Sequence, residues 1–434
     1  MRGTVLKKGF VALLIVLALI VLVSPGIVGR LAEKSMDDSL DRAAAEGEDI
    51  VITSQGFDRG WFSSAGQHRI ELREGVLRDT LYGVGIAAEP GKIPALLIET
   101  RLDHGLIPLA SMTREQGSLT PGLGNAISTL SLELADGSRV PLPGTIYSKL
   151  GLTGELQSHL ILEADSYAAA EGHFDWSAGE LLVTASPANN AIDVRGQLAS
   201  LSVTANGETL SLNAISVAAT RQPSPFGFTV GTANASVASL AVDTADATFN
   251  TGPLSVESDV GVEGDRISGT TSIRMQNLPS ELGTTHIATD IRLEEADGRA
   301  FAKLLRTLDA ARPAADTTSM AELLSRGFAL HIDRFDVSVP QGTITSKFDF
   351  VVEETAADAF TVAAALLAVD ATADISVPAT LMDYAIAMDP RAGAAVGLGY
   401  LRKQGDNYEM HAEIRDGVLT INGAPMQLPV GEFR

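Results

Sequence analysis

The sequence predicts an α+β fold: an N-terminal transmembrane helix, then a β-rich ectodomain built on an extended, twisted antiparallel sheet with a few packing helices, mainly after residue 298. Three observations carry that expectation. An uncharged apolar run occupies residues 9–23. From about residue 48 to 297, apolar and polar residues alternate with the period of two that a half-buried strand requires. Beyond 298, two segments change to the spacing of an amphipathic helix.

Gly9 to Val23 (GFVALLIVLALIVLV) holds no charge, and Ser24 to Gly29 extend it to 21 residues. About 20 helical residues span a bilayer core. Arg2, Lys7 and Lys8 precede the run, while Asp37, Asp38, Asp41, Glu46, Glu48 and Asp49 follow it. Basic residues stay on the cytoplasmic side of an inserted helix, so the N-terminus is expected in the cytoplasm. No small-x-small cleavage site closes the run, and Ser24-Pro25-Gly26 is a weak substitute. The expectation is an uncleaved signal anchor over residues 9–29, followed by a stalk helix over 31–47.

The strand-rich region opens with alternation at 50–55 that resumes at 67–72. Between them, Gln55–Ser64 (QGFDRGWFSS) reads as a hairpin corner. Gly56 and Gly60 allow backbone angles closed to other residues. Phe57, Trp61 and Phe62 offer apolar area to pin the corner onto a core. Phe57, Arg59, Gly60, Trp61 and Phe62 are therefore candidates for a packed corner or, with Arg59 and Trp61 turned outward, a recognition surface. Further on, Asn206-Gly207 favours a two-residue type I′ turn, which pairs Val203 with Leu210 and Leu201 with Leu212. Leu254, Val256, Val260 and Val262, then Ile287, Ile291 and Leu293, continue the alternation. Such strands make a sheet with one apolar face, and helices, a second sheet or a ligand must cover it.

After 298, Phe301, Leu304, Leu305 and Leu308 form one helical stripe. Ser319 to Glu322 reads as a capping box ahead of Leu323 and Leu324. Strands return over 328–353. Pro378 opens a helix with Leu381, Tyr384, Ala385 and Met388 on one side, and Gly393 to Gly399 reads as flexible. Asp416-Gly417 turns a closing hairpin that sets Ile414 opposite Leu419 and Ala412 opposite Ile421. The expected organisation is residues 1–30 as cytoplasmic tip and anchor, 31–47 as stalk, 48–297 as a β-rich region, and 298–434 as a mixed region on the same sheet.

Four segments carry a resemblance. They are Phe57-Asp58-Arg59-Gly60-Trp61-Phe62-Ser63-Ser64, Arg101-Leu102-Asp103-His104-Gly105, Ile375-Ser376-Val377-Pro378, and the ending from Glu413 to Gly423. Together they resemble the bacterial DUF945 family. The second departs from the family pattern, with Leu106 where a proline is expected. The resemblance implies an inner-membrane-anchored protein with its bulk in the periplasm. It brings no catalytic residues with it.

Charge and chemistry narrow the function. The net charge is −22, and since residues 1–30 hold only basic charges the acidity lies entirely beyond them. Such a surface repels phosphate backbones, so no nucleic-acid partner is expected. Without cysteine, disulfides and thiolate metal sites are impossible. The seven histidines are scattered, and His104, beside Asp103, has the best claim to a role. Neither a Gly-x-Ser-x-Gly nor a Ser-x-x-Lys motif occurs. Gly85 to Ile93 evokes a phosphate loop, but its spacing is one residue too long and Ile93 stands where Ser or Thr would hold magnesium. No catalytic, cofactor-binding or metal-ligating residue is nominated. Two functions remain as expectations: a non-enzymatic envelope protein that shelters lipid or another apolar ligand in a sheet groove, or a structural surface on which other envelope proteins assemble. Whether helices cover the apolar face separates them.

Overall fold

The alternation read from the sequence becomes strands through most of the described residues, which in this computed structural model are 50–59, 63–72, 95–104, 124–133, 139–151, 153–169, 172–186, 190–205, 208–243, 248–309, 322–354 and 367–426. The expected anchor and stalk, together with Gly60, Trp61 and Phe62 of the corner, lie outside them. Among the described residues no helix is long and apolar enough to cross a membrane. The chain divides into two compact units, with residues 1–223, 235–249 and 309–311 in the first and 224–234, 250–308 and 312–434 in the second.

The first unit contains β1 (Ile50–Arg59), β2 (Ser63–Leu72), β3 (Ala95–His104), β4 (Gly124–Glu133), β5 (Arg139–Leu150), β6 (Leu156–Leu162), β7 (Asp165–Ala169), β8 (Gly172–Trp176), β9 (Gly179–Ser186), β10 (Ala191–Ala205) and β11 (Glu208–Pro223). All their pairings are antiparallel. β1 to β6 pair successively, then β6 pairs with β9, β9 with β10 and β10 with β11. β10 outruns β9, and the β7–β8 hairpin fills the remainder: Ala191–Leu198 pair with β9, and Leu201–Ala205 with β8. Trp176 closes that junction. Its Nε1 donates to the carbonyl of Glu163 at 2.9 Å, and its ring packs with Leu162, Leu198, Leu201 and Leu212. Ile70, Leu96 and Leu97 are completely buried, each stabilising the fold by roughly 2 kcal/mol. Both hairpin registers read from the sequence are present, Ile52 opposite Ile70 and Leu201 opposite Leu212.

β12 (Thr229–Asp243) and β13 (Thr248–Asn250) follow. The second unit then holds β14 (Leu254–Glu263), β15 (Arg266–Ser280), β16 (Gly283–Asp297), helix α1 (Gly298–Asp309), a helical turn at 322–325, β17 (Phe328–Val339), β18 (Gly342–Val352) and β19 (Val369–Pro378). It ends with α2 (Ala379–Met388), α3 (Pro390–Gly397), β20 (Arg402–Gln404), β21 (Asn407–Arg415), β22 (Val418–Ile421) and β23 (Ala424–Met426). β14 to β19 form an antiparallel meander, and β21 extends it beside β19. The far edge of β21 is shared, with β20 along Asn407–Glu409 and β22 along Ala412–Arg415. The closing hairpin has the expected register, Ile414 opposite Leu419 and Ala412 opposite Ile421.

Two helical expectations are corrected. Residues 393–399 were expected to be flexible, yet α3 runs through Gly397, because Asp389 caps its backbone through Arg391 and Pro390 presets the first turn. The stripe expected on α2 does not all turn inward. Leu381 and Met382 are buried, while Tyr384 and Met388 face solvent.

Candidate functional site

Successive side chains of a strand point to opposite faces, and paired residues share a face. In the second unit these two rules sort the meander into an apolar face and a charged one.

The apolar face is continuous across the strands. Leu293, Leu330, Phe350, Ala371, Ile414 and Leu419 form one cross-strand row. Ile291, Ile332, Phe348, Ala373, Ala412 and Ile421 form the next. Helix α1 and the turn at 322–325 cover one end, where Ala296, Ala300 and Leu323 are buried against Leu293, Phe301 and Leu304. Val352, Val369 and Ala371 continue that core. Away from it the face opens. Ile291, Ile332 and Phe348 are half-buried, and Phe335, Val256 and Met275 are 40%, 45% and 36% exposed.

The opposite face carries mixed charge that closes on itself. Between Ile291 and Arg334 the ladder slips by one residue, so Asp333 is the extra residue of a bulge. Arg292 donates to its carboxylate through Nε at 3.0 Å and Nη2 at 3.1 Å, and also bonds Glu294. His331 Nδ1 lies 2.5 Å from Asp349, which accepts from Thr372 at 3.3 Å. Asp290 accepts from Ser272 at 2.6 Å and Arg274 at 2.5 Å, and His411 meets Asp374 at 2.7 Å. An open depression of about 270 Å³ lies over this face, but its Asp333, Asp336 and Asp374 are already paired within it. Exposed pairs of this kind contribute up to about 1 kcal/mol each. Among the described residues no group of three His, Asp or Glu is arranged to hold a metal ion. The chemistry left unmet on this unit is apolar.

In the first unit, Phe57 and Arg59 take their places in the β1–β2 ladder opposite Gly66 and Ser64. His104, opposite Gly124, ends β3, and Asp103 beside it is buried. The structure brings no second candidate to either position. It does set a polar track into the buried apolar face: Thr100 bonds Ser128 at 2.8 Å, Ser148 bonds Ser158 at 2.9 Å, and His68 lies buried beside them in β2 with Nδ1 unpartnered.

Residues 6–429 match a family described as a bacterial protein of unknown function, DUF945. The chain belongs to the DUF945 family. Neither the curated proteins nor the solved structures include a match to it. Membership in DUF945 covers both units and brings no activity, so the site rests on geometry alone.

Acid is expected to weaken this DUF945 protein in two stages. Burial pulls the pKa of His68 below its ordinary 6.5. The unfolded chain therefore takes up that proton first, and stability is full above pH 6.5 and falls beneath it. Hydrogen bonds from Ser272 and Arg274 depress Asp290, and those from Arg292 depress Asp333. Their contributions are full above the ordinary 3.8 and are lost as pH drops through the folded values. Urea midpoints across pH 3–8 check this, and His68→Leu should flatten the upper limb alone. A wild-type midpoint unchanged between pH 7 and 4.5 would remove the burial argument.

Proposed function

We propose that this DUF945 protein is a bacterial inner-membrane protein, held by residues 9–29 with its bulk in the periplasm, that binds phospholipid or another apolar ligand on the apolar face of its second unit. The observation that carries the reading is the uncovered part of that face. Helix α1 and the turn at 322–325 close one end only, and Phe335 at its open part is 40% exposed. Solvent-facing rows of aliphatic and aromatic side chains cost stability unless something apolar lies on them. Few aromatics and many flat aliphatics suit an acyl chain better than a planar cofactor. The opposite face supports the same reading, since its charges satisfy each other.

Native mass spectrometry of the full chain in a lipid-exchanging amphipol, with extraction of what remains bound, tests the proposal. The wild type is expected to retain phospholipid that Phe335→Glu loses severalfold. Residue 335 is exposed, so the added charge should leave the thermal midpoint nearly unchanged. Lipid around the anchor is common to both proteins, and the difference between them reads the sheet face. Equal lipid in both, or a wild type that takes up no added phospholipid, overturns the reading.

A further inference from the structure

The α2–α3 hairpin departs from the rest of the second unit in what it shows to solvent. Its inner side is fastened at both ends. The N–H of Ala379 donates to the carbonyl of Asp406 at 2.8 Å, and Thr380 Oγ1 donates to the carbonyl of Gln341 at 2.9 Å. Leu381 and Met382 are buried beneath α2. Beyond α3, Asn422 holds the carbonyls of Gly399 and Tyr400. The outer side is apolar. Exposed positions recur at three and four residues, at 380, 383, 384, 387 and 388, and again at 391, 394, 397 and 398. Among them Tyr384 is 44% exposed, and Met388 and Leu398 are each 66% exposed. Apolar residues this exposed on a helical surface normally turn inward, and here the fastened inner side forbids it.

Charge sets the hairpin apart as well. Residues 379–404 hold Arg391, Arg402 and Lys403 against Asp383 and Asp389, in a chain whose net charge is −22. Asp389 is engaged by Arg391 at 2.9 Å, while Arg402 and Lys403 are exposed. Elsewhere the acidic surface repels anionic headgroups; this segment does not.

We propose that the outer side of the α2–α3 hairpin lies in the headgroup region of a lipid bilayer, with Met388 and Leu398 inserted and Tyr384 at the interface. An amphipathic helical surface with apolar tips and basic neighbours binds there by burying its apolar side in the acyl boundary. The inference rests on the anchored part of the proposed function and not on the bound ligand. Anchoring keeps a bilayer at high effective concentration, so a shallow contact of a few side chains suffices.

The absence of cysteine makes the test direct. Single variants Met388→Cys and Leu398→Cys each carry the fluorophore NBD on the full chain. The control is Val351→Cys, an exposed position on the charged face of β18. The proteins are reconstituted in vesicles of phosphatidylethanolamine and phosphatidylglycerol containing a spin-labelled lipid. Quenching by that lipid is expected to be at least threefold stronger at 388 and 398 than at 351, with emission shifted to the blue. If the protein floats with the vesicles but all three positions quench alike, the anchor stands and the hairpin inference falls. If it does not float, both fall. A blue shift at 388 or 398 without lipid quenching means that protein, such as a second copy, covers the hairpin, and this also overturns the proposal.

Discussion

Gly298→Ala is expected to destabilise the second unit by about 2 kcal/mol, the cost of forcing a methyl group into a filled space. A Cβ at this position would sit 2.2 Å from Cε2 of Phe226 and 2.5 Å from its Cδ2. The ring has little room to retreat. It stacks on Phe228 with centroids 6.2 Å apart, and Phe228 meets Phe301 of α1 edge-on at 6.0 Å. The backbone is fixed too, because the N–H of Gly298 donates to the carbonyl of Asp265 at 2.8 Å. Asp297 caps α1 by accepting from Arg299 and Ala300 at 3.1 and 2.9 Å. Alanine is the better helix former by ~1 kcal/mol in a helix interior, and less at a first helical residue, so the clash decides the sign. Urea unfolding with a double-mutant cycle to Phe226→Leu checks it: shrinking the ring should return most of the loss. A neutral or stabilising Gly298→Ala would mean that α1 docks without the ring against its backbone.

Much of the fold was legible because strands with one buried face write their register into the sequence. The pairing of Leu201 with Leu212 and of Ile414 with Leu419 followed from alternation plus a turn dipeptide. Even the bulge left a trace. Leu330 and Ile332 are in one phase, whereas Phe335 and Val337 are in the other, and the slip falls at Asp333. The site was less legible. Openness of the apolar face depends on how far α1 reaches, and no local pattern encodes that. The charged ladder had a signal that could have found it, since the polar phase of β15 to β18 holds Arg274, Asp290, Arg292, Asp333 and Asp349 in mixed sign. Reading it requires the register between strands as well as the alternation within each. The helical expectations failed for a related reason. Spacing placed Tyr384 and Met388 with Leu381, but the contacts of Thr380 and Ala379 with neighbouring segments set which side of α2 faces inward.

Asn422→Ala is expected to cost about 3 kcal/mol, the sum of three lost hydrogen bonds at roughly 1 kcal/mol each. Between β20 and β22 the edge of β21 would be unpaired at His411. Asn422 fills that gap twice over: its N–H donates to the carbonyl of His411 at 2.7 Å, and its Oδ1 accepts from the N–H of His411 at 2.9 Å. Its Nδ2 then donates to the carbonyls of Gly399 and Tyr400 at 2.9 and 3.0 Å, tying the segment after α3 to the sheet. The residue holds a φ of 50°, a left-handed conformation that Asn tolerates and Ala does not. Asn422→Gly separates the two effects. It loses the same side-chain bonds but relieves the backbone, so stability should fall in the order Asn, Gly, Ala. Hydrogen exchange at Tyr400 and Leu401 should accelerate in both variants, because the end of α3 is released whichever residue stands at 422. Equal stability of Gly and Ala would show that the left-handed backbone carries no strain. Unchanged exchange at 400–401 would show that the hairpin is fastened without Asn422, and its outward-facing Met388 and Leu398 would then need another reason to be held away from the core.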